Sequence, residues 1–191
     1  RQRGADGDLD LLRGALADGS DSIAFQVETE TAWDVAMAVA VTSEEKKAVG
    51  SRDAMEHVVA TSPLFAGWVA AQEADLAAMR AAIAARDLER VGTIAEENCL
   101  RMHATAIAAR PPVIYWTPAT LAAIGAVRDM RGAGLEAYFT IDAGPQVKAL
   151  CRGADLAAVA DRLAAVPGVK RVLRARPGPG VRMVEGRAPW A

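Results

Sequence analysis

The chain has 191 residues, 52% of them apolar and 24% charged, with a formal net charge of −2. That length supports one domain with a sizeable core, and the near-neutral balance argues against a nucleic-acid surface or an acidic tail. The longest strongly apolar stretch, Val35–Val41, is far too short to cross a bilayer, so neither nucleic acid nor membrane is expected as a partner. No basic segment followed by an apolar run opens the chain, and no signal peptide is expected. Cys99 and Cys151 lie far apart, without ligand-like spacing. They fit small buried hydrophobes in a reducing cytoplasm, and no metal site is expected.

Residues 1–20 are rich in Gly, Asp and Arg and read as a loop or lead-in without any start-like feature, which points to further sequence upstream. Ser22–Glu28 alternates apolar and polar residues, the pattern of a half-buried strand. Asp34–Val41 is continuously apolar and fits a central strand covered on both faces. These two are expected to be neighbours across Thr29–Thr31. A helical pattern comes next, with Ser51 as its N-cap and Met55, Val58 and Val59 on one face. Ser62-Pro63 separates it from a second helix carrying Trp68, Leu76, Met79 and Ile83. Asp87 is placed to cap a third helix with Leu88, Val91, Ala95, Met102 and Ala106 inward, ended by Pro111-Pro112. Thr117-Pro118 opens a fourth, with Leu121, Ile124 and Val127 inward and Gly132–Gly134 at its end. Strands return at Ala137–Asp142 and Val147–Cys151, an amphipathic helix spans Asp155–Val166, and a last strand spans Val169–Ala175. Strands, then helices, then strands again predict an α+β fold: an antiparallel sheet of about four to five strands packed against helices.

Two loops could carry chemistry. In the first, strand alternation places Tyr138, Thr140 and Asp142 on one face, and Ala-Gly-Pro turns the backbone directly after Asp142. A carboxylate there suits catalysis, and it equally suits bonding to its own turn. Gly144 permits a left-handed backbone or close approach to a ligand. In the second, Gly50-Ser51 leads into a helix N-terminus with Lys46, Lys47 and Arg52 nearby. That arrangement attracts anions, and it also fits a capped helix behind a solvated charge run. His103 and His57 read as helix histidines satisfied by neighbours, and Tyr115-Trp116 as a structural corner.

Several stretches together resemble one family. Ala137-Tyr-Phe-Thr-Ile-Asp-Ala-Gly-Pro-Gln-Val-Lys148 resembles the aspartate loop of diphosphomevalonate decarboxylases, in the GHMP kinase superfamily. Lys46-Lys-Ala-Val-Gly-Ser-Arg-Asp-Ala-Met55 with Val59-Ala-Thr-Ser-Pro63 is similar to their Lys-Lys…Ser-Ser-x-x-Gly-Met…Thr-Ser loop and helix. Asn98, Met102-His-Ala104, Pro111-Pro112 and Tyr115-Trp116 match their central helix and its exit. Gly19-Ser-Asp-Ser-Ile-Ala24 resembles the lead into the first strand of their C-terminal region. These matches run in family order across roughly residues 19–151.

The resemblance implies the C-terminal lobe of an ATP-dependent decarboxylase converting (R)-5-diphosphomevalonate to isopentenyl diphosphate, ADP, phosphate and CO2. It assigns Asp142 to the C3 hydroxyl as base or orienting group. Ser51, Arg52, Met55 and Gly144 would line the substrate pocket, and Lys46 would lie near the phosphates. ATP and Mg2+ would be held mainly by an N-terminal lobe, the chain's partner, whose phosphate loop is not in this sequence; alone, the chain would be inactive. Residues 1–18 would be lead-in, 19–176 the substrate domain and 177–191 a tail. A cytoplasmic enzyme is implied, with room for a homodimer. Gly50 stands where the family has the first serine of its pair and Ala54 where it has glycine, which leaves the number of substrate phosphates open. A phosphomevalonate decarboxylase, a mevalonate-type kinase and a non-catalytic α+β binding module are the alternatives.

Overall fold

The computed structural model describes residues 9–13, 20, 23–28, 33–45 and 49–178. Its strands are β1 (Leu9–Arg13), β2 (Ile23–Glu28), β3 (Val35–Val41), β4 (Ala137–Thr140), β5 (Val147–Arg152) and β6 (Arg171–Ala175). Its helices are α1 (Ser51–Thr61), α2 (Phe65–Ala84), α3 (Leu88–Ile107), α4 (Pro118–Gly132) and α5 (Leu156–Ala164). Residues 34–176 form one compact unit, and the β1–β2 pair belongs to another.

Four strands form one antiparallel sheet in the order β4-β5-β3-β6. β3 pairs with β5 on one side, Ala38 opposite Ala149, and with β6 on the other, Ala38 opposite Arg174. The central position expected of a continuously apolar strand holds, but cover on both faces does not: Ala36, Ala38 and Ala40 are buried, whereas Met37 and Val39 on the opposite face are only half-buried. The β3-α-β4-β5-α5-β6 order is a split βαβ sheet of the ferredoxin-like kind, with α1–α3 inserted ahead of the crossover helix α4. The α+β expectation holds, and the pairing of β2 does not. β2 pairs with β1, Leu11 opposite Phe25. Leu9–Arg13, inside the stretch whose composition reads as loop, supplies that partner, while both edges of β3 are taken by β5 and β6. The expected Thr29–Thr31 turn and residues 179–191 of the expected tail lie outside the described residues.

The core lies on one face of the sheet. Ala36, Ala38 and Ala40 of β3, Phe139 of β4, and Val147, Ala149 and Cys151 of β5 pack under Ile124, Val127 and Met130 of α4 and Leu156, Val159 and Leu163 of α5. The small side chains of β3 let the two helices sit close to the sheet centre. Asp87 caps α3 by accepting from Arg90 N at 2.9 Å. Thr117 and Thr120 close a reciprocal capping box behind Pro118 at the start of α4. Leu121, expected inward, is exposed because the buried face of α4 runs through Thr120, Ala123, Ile124, Val127 and Met130, and Leu121 lies about a quarter turn off it. On α1 only Ala54 and Val58 are buried, and Met55 and Val59 are exposed. On α2 only Ala82 is buried and Leu76 is exposed, because α2 packs mainly on α3 at the outside of the unit.

α3 runs along the outer edge of β4. Gly92 is required there, because a Cβ at that position would come within 2.0 Å of the Tyr138 ring. Glu96, 8% exposed, accepts from Phe139 N at 2.9 Å and pairs with Arg131 of α4 at 2.8 and 3.1 Å. Arg131 also donates to the Ala137 carbonyl at 3.0 Å, and its guanidinium lies over the Tyr138 ring. One turn further, Ile141 N donates to Cys99 Sγ at 3.2 Å. Removing one partner from such an arrangement leaves a buried charge and a buried N–H unmatched. Glu96→Ala is expected to cost about 2–4 kcal/mol of unfolding free energy. Glu96→Gln, which keeps the acceptor for Phe139 N, should cost less than Glu96→Ala in urea titrations of the two variants.

Candidate active site

Asp142 lies just past the end of β4, and Gly144 in the turn beyond it has φ +94°, the left-handed region open mainly to glycine. The Asp142 side chain is 77% exposed, and its carboxylate takes a hydrogen bond from Lys148 Nζ. Lys148 stands opposite Thr140 in the β4–β5 register, on the face that Asp142 shares. The carboxylate thus points outward against a lysine of the neighbouring strand and does not cap its own turn. Strand alternation across Thr140-Ile-Asp-Ala-Gly-Pro-Gln-Val-Lys148 contains that pairing, although the sequence alone does not single Lys148 out.

The turn is held from several directions. The Pro145 carbonyl accepts from Thr42 Oγ1 at 3.0 Å and from Thr120 Oγ1 at 2.9 Å. Gln146 accepts from Thr42 N at 2.7 Å and donates to the Ser43 carbonyl at 2.5 Å. His103 Nε2 lies 3.4 Å from the Ile141 carbonyl, and its ring leans on Trp116 with centroids 4.9 Å apart. Gly144 is buried, and the space that a Cβ would need is bounded by Tyr115 Cβ at 3.2 Å and Ile141 Cγ2 at 3.5 Å. The freedom of Gly144 therefore serves contact with this chain's own aromatic corner.

Beside the turn is a small apolar pocket of about 30 Å³ between α1, α3 and the corner, lined by Ser51, Met55, Val58, His103, Tyr115 and Ala143 among others. It brings Ser51 and Met55 together with the residue directly after Asp142. Ser51 is the first residue of α1, not its cap. Gly50 holds the extended cap position and its carbonyl accepts from Ala54 N at 3.0 Å, since an N-cap needs extended backbone and Ser51 is already helical. Arg52 is 91% exposed on its side chain, with Glu56 as a 3.8 Å neighbour one turn along, a contact weak enough to leave its charge available. Lys46 and Lys47 lie outside the described residues. Tyr115, read from sequence as a corner, is the unanticipated member: its hydroxyl donates to the Val49 carbonyl at 3.0 Å and reaches that of Gly50 at 3.4 Å. The paired Pro-Pro ahead of Tyr-Trp is the signal that the sequence offers for it.

Burial shapes the titrations here. Desolvation pushes the Cys99 thiol up and keeps it protonated, fitting its role beside the backbone of Ile141. His103, 3% exposed, is held below the ordinary histidine value, chiefly by burial, against the partial compensation of the Ile141 and Asp142 backbone. Among the described residues no cluster of three or more His, Cys, Asp or Glu could hold a metal, and no helix is long and apolar enough to cross a membrane.

This geometry has two measurable outcomes. Because the folded chain holds His103 below its unfolded value, the unfolded chain takes up the proton first as pH falls. Unfolding free energy is therefore expected to drop as pH falls through the ordinary histidine range near ~6.5; His103→Gln should flatten that drop, as read by urea midpoints from about pH 7.5 to 5.5. Gly144→Ala combines left-handed strain with crowding against Tyr115 and should cost about 1–3 kcal/mol, lowering Tm by roughly 2–4 °C per kcal/mol. An unchanged Tm would mean that the turn relaxes freely.

Comparison with known proteins gives these features a setting. The profile of the mevalonate 5-diphosphate decarboxylase C-terminal domain matches residues 37–176. The diphosphomevalonate decarboxylase of Aspergillus fumigatus is 34% identical over 160 residues, which span 81% of this chain and 39% of that protein. Among solved structures, MDDEF in complex with MVAPP, AMPPCP and magnesium is 37% identical with a TM-score of 0.76, over 84% of this chain and 49% of that one. The mevalonate diphosphate decarboxylase of Enterococcus faecalis, solved for its mevalonate diphosphate mediated ATP binding mechanism, is 36% identical with a TM-score of 0.73, over 84% and 48%. The chain spans well under half the length of the curated relative and about half that of the solved ones. With a matching profile over most of its length, close structural similarity and the aspartate turn, this chain belongs to the mevalonate 5-diphosphate decarboxylase family, within its C-terminal domain.

Proposed function

We propose that this chain is the C-terminal lobe of an ATP-dependent decarboxylase that converts (R)-5-diphosphomevalonate to isopentenyl diphosphate, releasing ADP, phosphate and CO2. The observation that carries the reading is an exposed Asp142 carboxylate, oriented by Lys148 on a braced turn, beside a pocket lined by Ser51, Met55 and Ala143. Asp142 takes or orients the proton of the tertiary C3 hydroxyl, a poor nucleophile that gains from a carboxylate within hydrogen-bond reach. The bracing of its turn lets positioning contribute to the rate. Ser51, Arg52 and Met55 flank the substrate, with Arg52 and the α1 N-terminus toward its anionic end, Lys46 near the phosphates, and Gly144 fixing the turn.

A solved relative carries AMPPCP and magnesium with mevalonate diphosphate, and the sequence of this chain resembles only the C-terminal part of that family. In this reading ATP and Mg2+ are held mainly by an N-terminal lobe, the partner of this domain, and no step of this chain's own chemistry is routed through them. Two buried cysteines fit a cytoplasmic enzyme. The exposed apolar residues Leu64, Val69 and Leu76 along α2 and just before it give a homodimer surface to bury.

Asp142→Asn in the complete enzyme keeps the shape and removes the negative charge. Turnover is expected to fall by on the order of 10²-fold or more, with KM for mevalonate diphosphate little changed, because the anionic end is held elsewhere. Near-normal turnover per folded molecule with a lowered Tm would make Asp142 a structural residue and sink the assignment.

A further inference from the structure

Two walls of the site come from parts of the chain far apart in sequence: the start of α1 and the turn after Asp142. One side chain touches both. Tyr115 packs where Gly144 has no Cβ, its own Cβ 3.2 Å from that position, and its hydroxyl donates to the Val49 carbonyl at 3.0 Å with the Gly50 carbonyl at 3.4 Å. Gly50 is the cap of α1, and its carbonyl already accepts from Ala54 N at 3.0 Å. A second donor near the same carbonyl fixes where the first turn of α1, with Ser51, stands relative to Asp142. The two residues after Tyr115 anchor it in turn: Trp116 leans on His103, and Thr117 begins the capping box of α4. At its far end α1 has separate ties to the same corner, His57 Nε2 donating to the Pro111 carbonyl at 2.8 Å and Arg110 N donating to Thr61 Oγ1 at 3.1 Å. The buried side chains of α1 are Ala54, at the end of its first turn, and Val58 one turn on. The Tyr115 hydroxyl adds a polar tie directly ahead of that turn, at Val49 and Gly50.

We infer that Tyr115 is a positioning residue with two separable roles: its hydroxyl sets the substrate-binding start of α1, and its ring supports the turn that carries Asp142. This rests on the assignment of the site to mevalonate diphosphate chemistry. The two parts of the side chain act on different kinetic constants. The hydroxyl governs a wall that grips the anionic end of the substrate in ground and transition state alike, so its loss raises KM. The ring governs the placement of the carboxylate at the reacting centre, so its loss lowers kcat.

The test compares Tyr115→Phe, Tyr115→Leu and Asp142→Asn with the wild type in the complete enzyme, measuring kcat, KM for mevalonate diphosphate and Tm. Tyr115→Phe is expected to raise KM by about fivefold to tenfold, the usual weight of one hydrogen bond, with a smaller change in kcat and no more than a small loss of Tm. Tyr115→Leu should raise KM similarly and also lower kcat by at least about tenfold, so that restoring the ring as Phe rescues kcat but not KM. A Tyr115→Phe enzyme with wild-type KM, or one losing kcat and KM in proportion to a lowered Tm, overturns the inference while Asp142→Asn still reports the site. If the wild type does not act on mevalonate diphosphate, or Asp142→Asn leaves turnover intact, the assignment of the site fails and this inference fails with it.

Discussion

Glu96, Cys99 and Arg131 satisfy an edge of the sheet that no strand covers. β4 is the outermost strand on its side, and its outward N–H and C=O groups would be buried under α3 without partners, each at a cost of about 1–3 kcal/mol. Instead Phe139 N finds Glu96, the Ala137 carbonyl finds Arg131, and Ile141 N finds Cys99. This interlock fixes the register of α3 against β4 to the residue. Both halves of the candidate site inherit that register: β4 ends in Asp142, and α3 delivers Met102, His103 and Ala106 to the pocket one to two turns beyond Cys99. A slip of one residue in the strand would turn Asp142 to the opposite face.

The fold is legible in the sequence where one local pattern decides one element. Asp87 and Thr117-Pro118 are chemical starts of helices, and both act as caps. The all-apolar β3 announces a central strand. Sequence reading fails where a choice is made by the whole. Pairing of β2 with β3 is natural from proximity in sequence, but a central strand takes the partners that complete its core face, and those lie more than a hundred residues later. Leu9–Arg13 is too short, and Leu11-Leu12 too irregular, for alternation to stand out. Leu121 and Leu76 carry helical spacing without burial, because alanine-rich helices present apolar residues all round and only packing selects the inner face.

The candidate site divides in the same way. Asp142 and its turn can be read from Asp-Ala-Gly-Pro, since strand end and turn chemistry are local. Family resemblance places Ser51 and Met55 in the pocket; spacing alone puts Met55 with Val58 on a buried face, and it is Ala54 that joins Val58 there. Lys148 and Tyr115 escape a linear reading for a common reason. Each matters through a partner across space, Asp142 for the lysine and the Val49 carbonyl for the tyrosine, and in neither case does the residue type alone declare it. Gly144 reads from sequence as either a left-handed backbone or close approach to a ligand; the backbone is left-handed, and Tyr115 packs against it.

The two walls of the site differ in how firmly the fold holds them. The Asp142 turn is gripped by residues from the end of β3, from α3, from the corner before α4 and from α4 itself, through Thr42, His103, Tyr115 and Thr120. The conformational entropy of that turn is lost on folding, which leaves the Asp142 backbone already ordered for the role proposed for it. The α1 wall has two buried side chains, an exposed Arg52 and a cap without a side-chain bond. Its start is tied to the corner before α4 by the Tyr115 hydroxyl on the Val49 carbonyl. Under the proposed function the two walls divide the work, the braced carboxylate placing the reacting atom and the start of α1 retaining the phosphate tail.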